Sequence, residues 1–341
     1  MKHSRRCAMV AAVLTAVAVF ASPAAAAPVV GPGDPIRSPM ADSPQENNRY
    51  VGVPMCSSGV PGTVTDHFGE KHRVMLTAGH CVNSQNVPGL PIVNGEVYVP
   101  TKQGDQHIGK AGAHRFEVPV DDNNPSTLLR AFNGADYGFI VLDPEVATTA
   151  ASYSEDENGE SRGEPVVMTG IQDNRTLEPG EVSVDNLGKP ICIDGSRTSR
   201  SCGHQVFRAR NGVWSVGLGM DHGDSGGNAY NPETDEVIGV NSMVIGPISR
   251  VQPADVAIEE AYGVPDGQVA ENFQVSDSSA QRNTEYRTIS EDSAANADYQ
   301  ARHPKPLEEQ IPGLSPDLGS LDLPGLPDIA DFQMPAGISG V

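Results

Sequence analysis

Short runs of β-branched and apolar residues recur along residues 50–264, at 62–67, 73–77, 96–99, 137–142, 165–169, 205–210 and 237–245, each bounded by Gly, Asn, Asp or Pro. Runs of that length with turn residues between them predict an all-β sandwich or barrel. The stretch is long for one sandwich and fits two small barrels that share an interface. Residues 254–262 break the rhythm: Val256, Ala257, Ile258 and Ala261 predict one short helix closing the domain. On either side the periodicity fades. Residues 28–49 are rich in Pro, Ser, Asp and Asn, so an extended or trimmed segment is expected. Residues 265–341 are polar and acidic, then repeat Leu, Pro, Gly and Asp, as in Leu321-Asp322-Leu323-Pro324-Gly325-Leu326-Pro327. They are expected to form a disordered, solvated tail, with docking of the spaced leucines on a partner or the cell envelope as the alternative.

Residues 1–27 follow another pattern. Lys2, Arg5 and Arg6 precede an apolar stretch at 8–21 and small residues at 24–27, the arrangement of a secretory signal peptide. The stretch falls short of the roughly 20 residues of a spanning helix, and no later segment is apolar for longer, so a secreted protein without a membrane span is expected. Lys+Arg number 23 against Asp+Glu 44, a net charge of -21, which argues against a nucleic-acid binder. Nearly half of that charge lies in 265–341, so it says little about the substrate.

Cys7 leaves with the signal, and Cys56, Cys81, Cys192 and Cys202 remain. An even number in an oxidising compartment reads as disulfides, and of the three pairings possible, sequence neighbours are favoured. No CxxC spacing or matching His pair accompanies them, so neither zinc nor any other cofactor is expected.

Three local signals carry chemistry. In Thr77-Ala78-Gly79-His80-Cys81 an apolar run ends at a histidine beside a cysteine, a plausible general base that alone reads as structural more often than not. In Gly223-Asp224-Ser225-Gly226-Gly227 the glycines let the backbone approach a carbonyl, and the amides of Gly223 and Ser225 suit a developing oxyanion, although the bare string is also a flexible turn. Asp136 precedes an apolar strand, where a carboxylate needs a donor such as a histidine N–H; standing alone it would be a strand-edge turn residue. In the order His, Asp, Ser the three reinforce one another.

That order, with TAGHC, the aspartate before a strand and GDSGG, resembles the trypsin-like (chymotrypsin-fold) serine endopeptidases. It differs from the order in subtilisins and α/β-hydrolases. Cys56 before the histidine motif, the loop from Cys192 to Cys202 and the run from Gln252-Pro253 to Gly263-Val264 resemble the secreted bacterial branch that includes the streptogrisins and α-lytic protease. The resemblance spans 50–264. It implies two six-stranded antiparallel β-barrels with a short C-terminal helix and a cleft between the barrels, acting on polypeptides. It also implies Ser225 as nucleophile, His80 as base, Asp136 as the group that orients it, and Gly223 and Ser225 as oxyanion hole.

The likeness places the specificity pocket at Gly219, Met220, Ser242, Met243 and Val244, with no acid at Gly219 to favour Arg or Lys. Val244 stands where the family has an open glycine, so a shallow pocket for small or medium apolar side chains is expected. Asn228 replaces the usual proline after GDSGG, and Asp221 and His222 read as cleft-rim residues. Arg49-Tyr50-Val51-Gly52 resembles an activation site, but an internal arginine is the expected partner of Asp224. The competing reading is a catalytically silent trypsin-like fold that binds an envelope or partner through its tail.

Overall fold

The computed structural model describes residues 27–83, 92–117, 132–282 and 285–304. Apart from Ala27 the expected signal peptide lies outside the described residues, as do residues 305–341 of the expected tail.

Two antiparallel β systems make up the fold. In the first sheet the strands run in the order Phe273–Val275, Pro61–Thr65, Lys71–Thr77, Asp136–Leu142, Gly104–Phe116 and Glu96–Thr101. In the second, Glu236–Ile245, Asn228–Tyr230, Pro190–Asp194, Ser201–Ala209, Gly212–Val216 and Ile248–Pro253 form a ring, closed because the last strand pairs again with Glu236–Ile245. Closure removes the edges that an open sheet leaves to solvent. Side chains alternate between two faces of the first sheet: Met75, Val97, Val99, Ile108 and Ile140 cluster on one, whereas Val74, Leu76, Tyr137 and Phe139 on the other join Val240 and Tyr230 of the second system, and Ile191, Ile193, Val213 and Val251 form a further cluster within the ring. The sequence runs find their strands, while Gly104–Phe116 escapes the pattern because Gly, His, Lys and Arg fill most of its positions.

The helix falls at Ala254–Tyr262. Pro253 precedes its first turn, where a missing N–H costs nothing, and Gly263 ends it in the left-handed conformation at φ 68°. Its face of Ala254, Val256, Ala257 and Ile258 is buried.

Both flanks depart from expectation. Residues 28–49 belong to the fold: Val29–Val30 pairs with Ala147–Thr148, Pro35–Ile36 pairs with Cys56–Ser57, and Val30 and Ile36 are fully buried. The chain also stays ordered past 264, where Val269–Asn272 is helical, Phe273–Val275 adds an edge strand to Pro61–Thr65, and Ile289–Arg302 forms a helix with a Thr288–Glu291 capping box. The physical reason is long-range charge pairing. Arg37, buried with 1% exposure, meets Asp105 at 3.3 Å and also pairs with Asp292, while Arg287 meets Asp105 at 2.5 Å and Asp292 at 2.7 Å. Asp34 and Arg282 add a further buried pair at 3.2 Å. Polar composition looks like solvated coil unless the partners, distant in sequence, are known.

Candidate active site

The strand Lys71–Thr77 ends in a single 3-10 turn, Gly79–Cys81, which carries His80. The disulfide Cys56–Cys81 ties this turn to the strand Cys56–Ser57, and Cys192–Cys202 bridges two adjacent strands of the second ring. A loop of 25 residues closed in this way contributes about 3 kcal/mol by restricting the unfolded chain.

Asp136 opens the strand Asp136–Leu142 and is 1% exposed. Its Oδ1 accepts the backbone N–H of His80 at 3.0 Å, and the His80 ring presents Nδ1 at 3.1 Å from Oδ1 and 3.0 Å from Oδ2. Ser242 donates its hydroxyl to Oδ2 at 2.6 Å, and Arg250 donates Nη1 to the Ser242 oxygen at 3.0 Å. Arg250, itself buried, also bonds the carbonyls of Gly134 and Asn211. Burial works against the Asp136 carboxylate, but the His80 charge and hydrogen bond, the Ser242 hydroxyl and the Arg250 charge outweigh it, so its pKa lies below the ordinary value. Because an ionised carboxylate only accepts, His80 Nδ1 carries the proton and Nε2 is left unprotonated. Burial pushes the His80 imidazolium down, yet the Asp136 charge and hydrogen bond prevail and its pKa is raised. Burial lowers Arg250 to about 10, so it stays cationic at neutral pH.

Ser225 reaches the same seam from the second ring. Its carbonyl accepts the N–H of Ser57 at 2.7 Å and lies 3.6 Å from Cys81 Sγ, so the serine's backbone is fixed against the disulfide next to His80. Among the described residues, the His80 ring hydrogen-bonds Asp136 and makes no hydrogen bond to Ser225. Gly226 has φ +80°, and a Cβ there would meet Thr77 Oγ1 at 2.1 Å, so only glycine lets the turn approach the histidine strand. Asn241 clamps the turn from behind, accepting Gly226 N–H at 2.8 Å and donating Nδ2 to the Asp224 carbonyl at 3.1 Å. Asn228 is buried in the strand Asn228–Tyr230, paired on both sides, so the residue after GDSGG is held by its sheet neighbours.

Asp224 corrects one expectation. No arginine side chain pairs with it among the described residues: Oδ1 accepts the backbone amides of Arg197 at 2.9 Å and Thr198 at 3.0 Å, and Oδ2 accepts from Thr198 Oγ1 at 2.8 Å and from the Asp221 amide at 2.9 Å. Burial raises its pKa against these donors. The nearby arginine, Arg200, is taken by Asp194, with Nε to Oδ1 at 2.9 Å. Asp221 and His222 are exposed.

Of the residues expected to line the pocket, Ser242 donates to Asp136, a contact its sequence position alone did not reveal. Met220, partly buried, packs against the cluster that includes Leu218, Val213 and Ile191, while Val244 is 43% exposed. Gly219 donates its amide to Ser201 Oγ at 2.9 Å. Cys56, His80 and Cys81 lie close enough to suit an ion, but both sulfurs are spent in the disulfide and offer no thiolate. Among the described residues no helix is long and apolar enough to cross a membrane.

The family described as Trypsin matches residues 70–262, more than half of the chain. No curated protein matches it. Among solved structures, protease A of Thermobifida fusca is similar at 18% identity with a TM-score of 0.39, covering 73% of this chain and 98% of that one. Nocardiopsis protease is similar at 17% identity and a TM-score of 0.38, covering 72% and 99%. An α-lytic protease homologue, N4, is similar at 16% identity and a TM-score of 0.41, covering 69% and 97%.

Proposed function

The chain belongs to the trypsin family, and from that membership as a serine-type endopeptidase we propose that Ser225, His80 and Asp136 are its catalytic triad. Ser225 Oγ attacks the scissile carbonyl carbon as its proton passes to His80 Nε2, and the carbonyl electron pair moves onto oxygen, where the amides of Gly223 and Ser225 donate to it. The C–N bond breaks as His80 returns that proton to the leaving amine. Water then repeats the same steps on the acyl-enzyme, releasing the acid and restoring the Ser225 hydroxyl.

The observation that carries this reading is the Asp136 carboxylate, removed from water and spent on the backbone N–H and ring of His80 and on the Ser242 hydroxyl. A buried carboxylate needs such donors, and these fix the tautomer that leaves Nε2 free to accept a proton. Labelling with a fluorophosphonate tests it. Modification of Ser225 that is lost in Ser225→Ala and in heat-denatured protein is expected; an unlabelled, correctly folded wild type would sink the reading and favour a silent fold.

The half-buried Met220 and exposed Val244 support a shallow apolar pocket for small or medium aliphatic residues at the acyl side of the scissile bond. Both disulfides suit an oxidising compartment and, with the pattern of residues 1–27, support secretion.

A further inference from the structure

The oxyanion turn is braced from outside by residues that follow the trypsin-like region. At Gly223, φ is +108°, and a Cβ built there would lie 2.8 Å from Ile289 Cδ1 and 3.2 Å from Arg197 Cβ, so the Ile289 methyl rests on the turn itself. Ile289 begins the helix Ile289–Arg302, and its position is fixed at several points. The preceding Thr288 caps the helix by accepting the Glu291 amide at 3.1 Å, and Arg287 is locked between Asp105 and Asp292. On the other side, Ser290 donates its amide to the Glu157 carbonyl at 3.0 Å. Glu157 in turn donates its amide to the Arg197 carbonyl at 2.9 Å, and its carboxylate meets Arg197 Nε at 2.9 Å.

This brace bears on the same loop that satisfies Asp224. Three of the four donors to that buried carboxylate are the Arg197 amide, the Thr198 amide and the Thr198 hydroxyl. The loop is therefore enclosed, with Asp224 and Gly223 within and Ile289 and Glu157 without. Gly223 has no side chain to pack; the Ser57 hydroxyl donates to its carbonyl at 2.8 Å, and on its Cα side the atoms that meet it belong to Ile289 and Arg197.

We propose that Ile289 is a positioning residue for the reaction: the helix Ile289–Arg302 holds the Gly223 turn in its donor conformation, so that this segment acts as a built-in activator of the oxyanion hole. The proposal rests on the reading of Ser225 and Gly223 given above. It assigns a catalytic consequence to a part of the chain outside residues 70–262.

The test compares full-length wild type, Ile289→Ala, Ile289→Val and Ile289→Leu on a peptide amide, with kcat expressed per active site titrated by a fluorophosphonate and the thermal midpoint of each variant recorded. Because small displacements of positioned groups cost up to about 100-fold, Ile289→Ala is expected to lose kcat by about that factor with KM little changed. Ile289→Val, which lacks only the methyl that meets the turn, should lose less, and Ile289→Leu should restore most of the rate. Affinity for a peptide boronate, whose adduct places an oxygen in the oxyanion site, should fall in parallel. Unchanged kcat per titrated site, a rise in KM alone, or a fall in titre and thermal midpoint without a fall in kcat per site would each overturn the proposal. If Ile289→Ala does not fold, Ile289→Val carries the same test. An untitratable wild type would instead count against the triad, so the two failures are distinguishable.

Discussion

Replacing Ser242 by Ala isolates the least obvious part of the site. The substitution deletes the hydroxyl that donates to Asp136 Oδ2 at 2.6 Å and accepts from Arg250 Nη1 at 3.0 Å, and leaves the histidine contacts in place. A hydrogen bond to a charged group is worth about 1.5–3 kcal/mol, and Asp136 is too buried for water to replace it freely. The carboxylate that must stabilise the imidazolium is then itself less well held. If about half of that energy is felt in the transition state, kcat/KM at pH 8 falls by about three- to tenfold, 1.4 kcal/mol being a factor of ten. The remainder appears as lost stability. The pH dependence gives an independent sign. Asp136 is depressed in the fold, so its contribution to stability is present above its unfolded value and lost as pH falls through the folded one. Without Ser242 the folded value moves up, and acid unfolding should begin at higher pH. Initial rates on a peptide amide and chemical denaturation between pH 3 and 8 read both effects, with ordinary pH values chosen to bracket a carboxylate near 3.9. A variant with kcat/KM within twofold of wild type and an unshifted acid limb would refute the reasoning, because Asp136 would then draw nothing from this hydroxyl.

Other outcomes follow from the same contacts. The rate should rise with pH as His80 loses its proton, with its midpoint above the ordinary 6.5 because Asp136 raises that pKa; a midpoint well below 6.5 in kcat/KM would contradict the pairing. The same raised pKa makes the His80–Asp136 pair stabilise the fold fully below the unfolded histidine value, with loss as pH rises through the folded one. Arg49→Gln should be secreted and active, since Asp224 is satisfied by loop amides and residues 28–49 are held in the fold; disappearance of activity would mean that cleavage after Arg49 is required. A peptide library should show cleavage after small or medium aliphatic residues, and best cleavage after Arg, Lys or Glu would exclude the shallow apolar pocket.

His80 and Asp136 each stand at the end of an apolar strand and alone read as structural; the order His, Asp, Ser and the family resemblance it carries joined them, and the fold sets one against the other. The helix Ala254–Tyr262 was legible because its buried face recurs along one stretch of chain. Asp224 was not, because three of its four donors are backbone amides, which every residue except proline possesses and no motif advertises. Ser242 looked like pocket lining, since chain position cannot say that its hydroxyl turns towards a carboxylate 106 residues away. Residues 28–49 and 285–302 read as solvated for a related reason. Arg37 and Asp292 are buried only as a pair, and either end taken alone shows nothing but charge.

The ion cluster of Arg37, Asp105, Arg287 and Asp292 ties residues 28–49 to the helix Ile289–Arg302 across most of the described fold. A polypeptide still emerging from the ribosome holds the first two of these groups before it holds the last two. Losing one side of such a buried pair costs about 3–5 kcal/mol, comparable with much of a domain's net stability. A chain that holds Arg37 and Asp105 but neither Arg287 nor Asp292 therefore lacks half of the cluster, and the segment carrying Arg37 gains its full set of partners only when residue 292 is in place.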